Sequence, residues 1–219
     1  VFTVSVIDPN GTATNNDISD AFNDGVLVSA EGRVTIKPFG LVGHQLLGGL
    51  WSNKERVSLQ QDPSNIAREL ATNQFPRLAN PGPVLTQFLQ RFFPSLLVPT
   101  QPLNRVGYTW TVYYNFDQYL WSPEGVSDRG IGVFFRFGAS DGVANPVKYA
   151  YNVGIGAKGL WSWRPCDNFG IGWARTELSD NFVPFLRQQL RVGLGKEDAI
   201  ELYYNAEITH WLSAALDLQ

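Results

Sequence analysis

Apolar and polar residues alternate along most of this chain with a period of two, the spacing that sends successive side chains to opposite faces of a β-strand. Near the start, Phe2, Val4 and Val6 alternate with Thr3 and Ser5 up to the turn sequence Asp8-Pro9-Asn10-Gly11. Between Gly25 and Lys37, one face carries Val26, Val28, Ala30, Val34 and Ile36. The other carries Ser29, Glu31, Arg33, Thr35 and Lys37, with Leu27 as its one apolar member. Leu41 to Ser52 is glycine-rich and its parity is ambiguous. Later segments are cleaner. Val106, Tyr108, Trp110, Val112, Tyr114 and Phe116 oppose Thr109, Thr111, Tyr113, Asn115 and Asp117. Ile131, Val133, Phe135, Phe137 and Ala139 oppose Gly132, Phe134, Arg136, Gly138 and Ser140. Val147, Tyr149, Tyr151, Val153, Ile155, Ala157 and Trp161 oppose Lys148, Asn152, Gly154, Gly156, Lys158 and Ser162. Phe169, Ile171 and Trp173 oppose Asn168, Gly170, Gly172 and Thr176. Ile200, Leu202, Tyr204, Ala206 and Ile208 oppose Glu201, Tyr203, Asn205, Glu207 and Thr209, and a partial strand follows from Leu212 to Leu218.

The pattern predicts about nine strands, many of ten or more residues. Tilted membrane crossings need about 9–11 residues, whereas soluble strands average nearer 5–6. Residues 53 to 103 break the alternation with seven prolines and one short helix, Pro63 to Ala71, capped by Asp62. Such a stretch is uncommon inside a compact soluble domain and ordinary as the external loop of a membrane barrel. Short links at Lys37–Leu41, 120–128, Trp163–Asp167 and Thr209–Trp211 alternate with longer ones at 53–103 and 178–197. The Asp141-Gly142 hairpin is compact but has the parity of the long side.

Composition narrows the class. The 219 residues suffice for one large domain with a sizeable core, or for a piece of one. Charged residues are 17% of the chain, below the roughly 25% of an ordinary soluble domain. A net charge of −3 argues against a nucleic-acid partner. One cysteine and two histidines leave no disulfide framework, metal site or cofactor to expect. With no Met and a start inside an alternating stretch, the sequence reads as an internal portion of a longer protein. No apolar run of about 18 residues exists, so the fold class is all-β, either a soluble domain or a membrane barrel.

Several motifs are better explained as structure. Gly138-Ala139-Ser140-Asp141-Gly142 matches a nucleophile elbow, but a strand rather than a helix follows, and Asp-Gly is a hairpin signal. Gly154-Ile155-Gly156-Ala157-Lys158-Gly159 matches a dinucleotide fingerprint inside continuing alternation, which places its glycines on the inward face of a strand. Asn10-Gly11-Thr12 is a formal glycosylation sequon in a turn, and Cys166 falls in a tight turn. Glu201 and Glu207 share a strand face, but six residues span about 20 Å, too far for a glycosidase pair on one strand.

If the apolar faces meet lipid, the opposite faces line a lumen of Glu31, Arg33, Tyr113, Asp117, Arg136, Lys148, Asn152, Lys158, Glu201, Tyr203 and Glu207. Charges of both signs are costly in a dry core and cheap beside water. With the inward ring of Phe134, such a lining suits polar, uncharged solutes such as sugars. Tyr108, Trp110, Tyr149, Trp161, Trp163, Trp173, Tyr204 and Trp211 suit the membrane interface, where one ring edge stays wet. No catalytic residue follows from this reading. The alternatives are a soluble carbohydrate-binding β-sandwich and a glycoside hydrolase on such a fold, in which these polar residues would form an outer, solvated surface.

Four segments in order resemble a known family. Gly43-His44-Gln45-Leu46-Leu47-Gly48-Gly49-Leu50-Trp51-Ser52 resembles the segment leading into the long loop of carbohydrate-selective porins of Gram-negative outer membranes. Gly132-Val133-Phe134-Phe135-Arg136-Phe137-Gly138 with Asp141-Gly142 and Asn145-Pro146 is similar to a late strand and hairpin of that family. Arg164-Pro165-Cys166-Asp167-Asn168-Phe169-Gly170-Ile171-Gly172 is similar too, as is the closing block Ile200-Glu201-Leu202-Tyr203-Tyr204 with Thr209, Trp211 and Asp217-Leu218-Gln219. The resemblance implies an antiparallel up-and-down barrel of about sixteen strands in the outer membrane. This chain would hold its later half, with residues 53–103 as the external loop. It also implies facilitated diffusion of glucose-like sugars, without covalent chemistry, metal or cofactor. The partners are then sugars in transit and outer-membrane lipid, with oligomerisation left open.

Overall fold

A computed structural model describes every residue except 10–20, 95–96, 98–101, 124–128 and 192, and only the backbone of 189 and 190. The Asn10 sequon, the end of the first turn and part of the 120–128 link therefore lie outside the described residues. Nine strands form one sheet: β1 (Phe2–Ile7), β2 (Leu27–Ile36), β3 (Gly43–Ser52), β6 (Thr109–Trp121), β7 (Gly130–Ser140), β8 (Val147–Lys158), β9 (Asn168–Leu178), β10 (Lys196–Thr209) and β11 (Leu212–Leu218). Their order is that of the chain, every pairing is antiparallel, and β1 and β11 are the two edges. A separate ladder of β4 (Arg56–Val57) and β5 (Arg105–Val106) pinches the base of the long connection.

Several ends differ from the alternation. Val106 belongs to β5 and Tyr108 precedes β6, because the chain first closes the loop base. Trp161 lies beyond β8, which stops at Lys158 before Gly159 turns at φ 59°. β10 starts at Lys196, where Lys196–Ala199 pair with Glu177–Ala174; charged side chains hide this extension, but its backbone bonds do not depend on them. The capped helix is present as α1 (Pro63–Gln74), with the Ser64 N–H donating to Asp62 Oδ1 at 2.8 Å and Pro63 in the first turn. A second helix, α2 (Pro83–Phe92), was not expected; Gly82 precedes it and supplies no side-chain cap. A short helix, α3 (Val183–Phe185), widens into a π-turn through Leu190.

The sizeable core expected from chain length is absent among the described residues. The buried apolar cluster is Leu59, Ile66 and Phe185, backed by Ala67, Phe182 and Leu186, and all six lie in connections at the long-loop end. Each sheet strand packs chiefly on its ladder neighbours, and among the described residues no second layer of strands covers either face of the nine-stranded sheet. Val133, Phe135 and Phe137 are only half-buried, while Ile171 and Leu202 remain 48% exposed. A sandwich would bury them.

The apolar rows run obliquely to the ladder. On β3 and β6 the upper limit of the apolar face is the directly paired Trp51 and Trp110. On β9 and β10 it is Trp173 and Ile200, since the next outward pair on that face is Arg175–Asp198, joined by Nε–Oδ1 at 2.8 Å and Nη2–Oδ2 at 3.1 Å. The lower limit likewise falls from Ile36 on β2 to Ile208 on β10. The drift is about one to one and a half residues per strand, which at a rise of ~3.3 Å and a spacing of ~4.8 Å levels the band at a strand tilt of about 35–45°. Membrane barrels tilt by this amount.

At the long-loop end, two backbone bonds and one side-chain bond tie three connections together. Leu59 N–H donates to Val143 O at 2.7 Å, Ser179 N–H to Pro146 O at 2.8 Å, and Asn181 Nδ2 to Gly142 O at 3.0 Å. Asp141 organises the hairpin: its carboxylate accepts from the N–H groups of Val143 (2.7 Å), Ala144 (2.8 Å) and Trp110 (3.1 Å). Burial pulls this carboxyl up, but the hydrogen bonds from Ala144, Val143 and Trp110 outweigh it and hold the group below the ordinary 3.8.

Two outcomes follow. In the full-length protein, Ile155→Arg on the apolar face should cost about 2–4 kcal/mol in urea unfolding from vesicles, against under about 1 kcal/mol for Thr176→Lys on the opposite face. Because the folded pKa of Asp141 lies below its unfolded value, its stabilisation is complete above a pH of about 4 and is lost as pH falls through the folded value. Measured against the intrinsic exchange rate at each pH, protection of the Val143 and Ala144 amides should therefore fall on acidification, and Asp141→Asn should abolish that acid dependence.

Candidate functional site on the polar face

Directly opposed residues of an antiparallel ladder share a face, so the register turns the sequence pattern into rows. One row runs Thr35, His44, Asp117, Phe134, Gly154, Gly172, Glu201. The next towards the long loops is Arg33, Leu46, Asn115, Arg136, Asn152, Ala174, Ala199, followed by Glu31, Gly48, Tyr113, Gly138, Ala150, Thr176, Glu197. Towards the short turns lie Tyr119, Gly132, Gly156, Gly170, Tyr203, Asp217 and then Gly130, Lys158, Asn168, Asn205. Ten of the eleven residues expected on this face thus take the expected parity, Glu207 continuing the side of Glu201, Tyr203 and Asn205. Lys148 is the exception. It occupies a bulge between Val147 and Tyr149 at the sheet's end, with its ammonium 3.9 Å from Asp180 and 5.5 Å from the Tyr149 ring.

Side chains on this face reach across neighbouring strands. The Tyr113 hydroxyl donates to Glu31 Oε2 at 2.8 Å, its ring crossing Gly48. His44 Nδ1 lies 2.7 Å from Asp117 Oδ2. This pair was not foreseen, because the parity of Leu41–Ser52 was ambiguous and its partner is set only by register. The Arg136 guanidinium stands 5.8 Å from the Phe134 ring centroid. Asp117, Tyr119, Phe134, Lys158, Asn168 and Tyr203, over a floor of Gly130, Gly132 and Gly156, surround an open groove of about 260 Å³. The side chains offer donors, acceptors and π faces together.

The motifs set aside in the sequence take structural places here. Ser140 Oγ donates to Val147 O at 2.6 Å, as a strand-end bond rather than as a nucleophile. Gly154 and Gly156 face Gly172 and Gly170 in the ladder and open no helix. Glu201 and Glu207 face Gly172 and Ser213, so neither has a carboxylate directly opposite. Among the described residues no three His, Cys, Asp or Glu side chains gather as a metal site.

Six of the eight aromatics expected at an interface fall into two groups, one at each end of the sheet. Trp110, beside Trp51, and Tyr149, against Phe137 and Tyr151, stand near the long-loop end. Trp161, Trp163 and Tyr204 cluster with Phe169 at the short-turn end, where Trp211 is also exposed. Trp173 is central in β9 rather than near its end, yet it marks the upper limit of the apolar band, and its Nε1 donates to Asp198 Oδ1 at 3.1 Å. Tyr108 lies just outside β6. At the lower boundary, Asp167 accepts from Arg164 Nε at 2.6 Å, from the Tyr204 hydroxyl and from the Glu207 N–H at 3.1 Å. The Arg164 guanidinium holds its carboxyl below the usual aspartate range.

The comparisons agree with this geometry. The family model described as carbohydrate-selective porin, OprB family, matches residues 1–219. Porin B of Pseudomonas aeruginosa is 29% identical over 115 residues, covering 47% of this chain and 25% of that protein. The high-pH structure of Pseudomonas putida OprB superposes with a TM-score of 0.65 at 21% identity, over 97% of this chain and 48% of that one. Its low-pH structure gives 0.50 at 20% identity, over 89% and 41%. The chain thus spans about half the length of the solved structures and a quarter of the curated relative. Those relatives are outer-membrane β-barrel porins, a class of transport channel and not of enzyme. With a matching family model from end to end and an antiparallel meander amphipathic across its two faces, this chain belongs to the OprB family of carbohydrate-selective porins.

Proposed function

We propose that the full protein is a passive outer-membrane channel for glucose-like sugars and that this chain is the later half of its barrel. The observation that carries the reading is the oblique apolar band: one face of the nine-stranded meander is greasy over a bilayer-like belt, and the other presents ions, amides, hydroxyls and glycines. Two sheet edges are not tolerated in hydrocarbon, so further strands close the wall, and the family resemblance implies about sixteen in all. The long-loop end is external and the short-turn end periplasmic. Trp110, Tyr149, Trp173 and the Trp161–Tyr204 group sit at the two lipid interfaces.

Passage requires no covalent step. A sugar leaving bulk water exchanges its water contacts for those of the lumen wall, contacts firm enough for entry and loose enough for exit. Glu31, Arg33, Asp117, Arg136, Lys158 and Glu201 mix both signs, so no strong single-sign field sorts solutes by charge. Arg136 stands exposed in a central row, whereas Lys148 belongs to the mouth beside Asp180.

Full-length protein in liposomes should support glucose-driven swelling, and absence of swelling in vesicles that conduct KCl would overturn the sugar reading. In planar bilayers, Arg136→Glu should move the reversal potential towards cation selectivity well beyond the shift from Lys148→Glu; equal shifts would remove Arg136 from the central pathway.

A further inference from the structure

Four glycines form a tile in the middle of the polar face. Gly154 and Gly156 of β8 are paired with Gly172 and Gly170 of β9. Two rings lie on it from opposite sides. Phe134 reaches over from β7: a Cβ at Gly154 would come within 2.6 Å of its ring and one at Gly172 within 3.6 Å. Tyr203 reaches back from β10: a Cβ at Gly170 would stand 2.9 Å from its ring and one at Gly156 3.7 Å from its hydroxyl. Any side chain at 154 or 170 would collide with the ring above it. The glycines are what allow both rings to lie down, in adjacent rows about 7 Å apart along the strands.

We propose that Phe134 and Tyr203 form a stacking platform for the C–H face of a pyranose ring, a subsite on the channel wall. This rests on the sugar-channel reading and deepens it. A ring lying on backbone presents its electron-rich face to the groove, complementary to the polarised C–H bonds of a sugar. The groups around the same groove are those that meet equatorial hydroxyls: the Asp117 carboxylate accepts, while the Lys158 ammonium and the Asn168 amide donate. The Arg136 guanidinium, over the Phe134 ring at 5.8 Å from its centroid, caps one side of that face and adds a second donor edge to the sugar seated next to it. Two low rings on a flat floor hold a solute by its face without narrowing the passage. An open-chain polyol has the hydroxyls but no rigid C–H face, so the platform discriminates by shape and not by hydroxyl count.

The test uses full-length protein in planar bilayers, with D-glucose and D-sorbitol as probes. Glucose should reduce KCl current at lower concentrations than sorbitol. Phe134→Leu and Tyr203→Leu should each raise the half-blocking glucose concentration, normalised to that variant's own KCl current, about three- to tenfold, while Tyr203→Phe keeps most of the block. Leucine variants blocked like the wild type would overturn the platform and leave the channel intact, the rings then serving only to cover backbone. Equal block of the wild type by glucose and sorbitol would overturn it without any variant. A wild type that passes no sugar removes the channel reading, and the platform with it.

Discussion

Hydrocarbon offers no partner to a peptide N–H or C=O, and the rest of this structure depends on that constraint. Each sheet strand meets it by pairing antiparallel with its chain neighbours. Once the ladder is complete, side-chain direction alternates, and each residue is committed to the apolar face or to the polar one. Stability then does not come from a packed interior. The buried cluster around Leu59, Ile66 and Phe185 anchors loops, while large apolar side chains such as Ile200 and Leu216 stand outward. In water those positions would be a liability; against acyl chains they are the favourable term.

The same ladder arranges the polar face, because the tilt that levels the apolar band also staggers the rows on that side. Residues far apart in the chain meet across strands: Tyr113 with Glu31, His44 with Asp117, and the Phe134 and Tyr203 rings over a shared glycine floor. Glycine has a positive use here. By leaving backbone bare on one face it lets rings from flanking strands lie flat, where bulkier residues would force them upright. The bidentate Arg175–Asp198 pair on the other face, with the Trp173 indole bonded to the same carboxylate, marks where the greasy belt stops.

Chain alternation by itself established the strands, their two faces, the asymmetry of the connections and the α1 cap at Asp62, because each depends on residues within a few positions of one another. Faces needed no tertiary information wherever the period of two ran clear and unbroken. Even the polar parity of Arg136 and Glu201 was legible. What failed was local signal overridden or missing. Charged Lys196–Ala199 disguised the start of β10, Gly82 gave α2 no cap, and the bulge at Lys148 broke the parity that the pattern assumed.

Register was decided only in three dimensions. Which residue faces which depends on the pairing of strands separated by long connections, β3 with β6 above all, and no local pattern encodes that offset. The His44–Asp117 contact, the four-glycine tile and the position of Trp173 at the limit of the apolar band all follow from register. So does the tilt, which exists only as a relation between strands. Sequence could say which side each residue takes; only the folded sheet, with its backbone bonds fixing each offset, could say what it meets there.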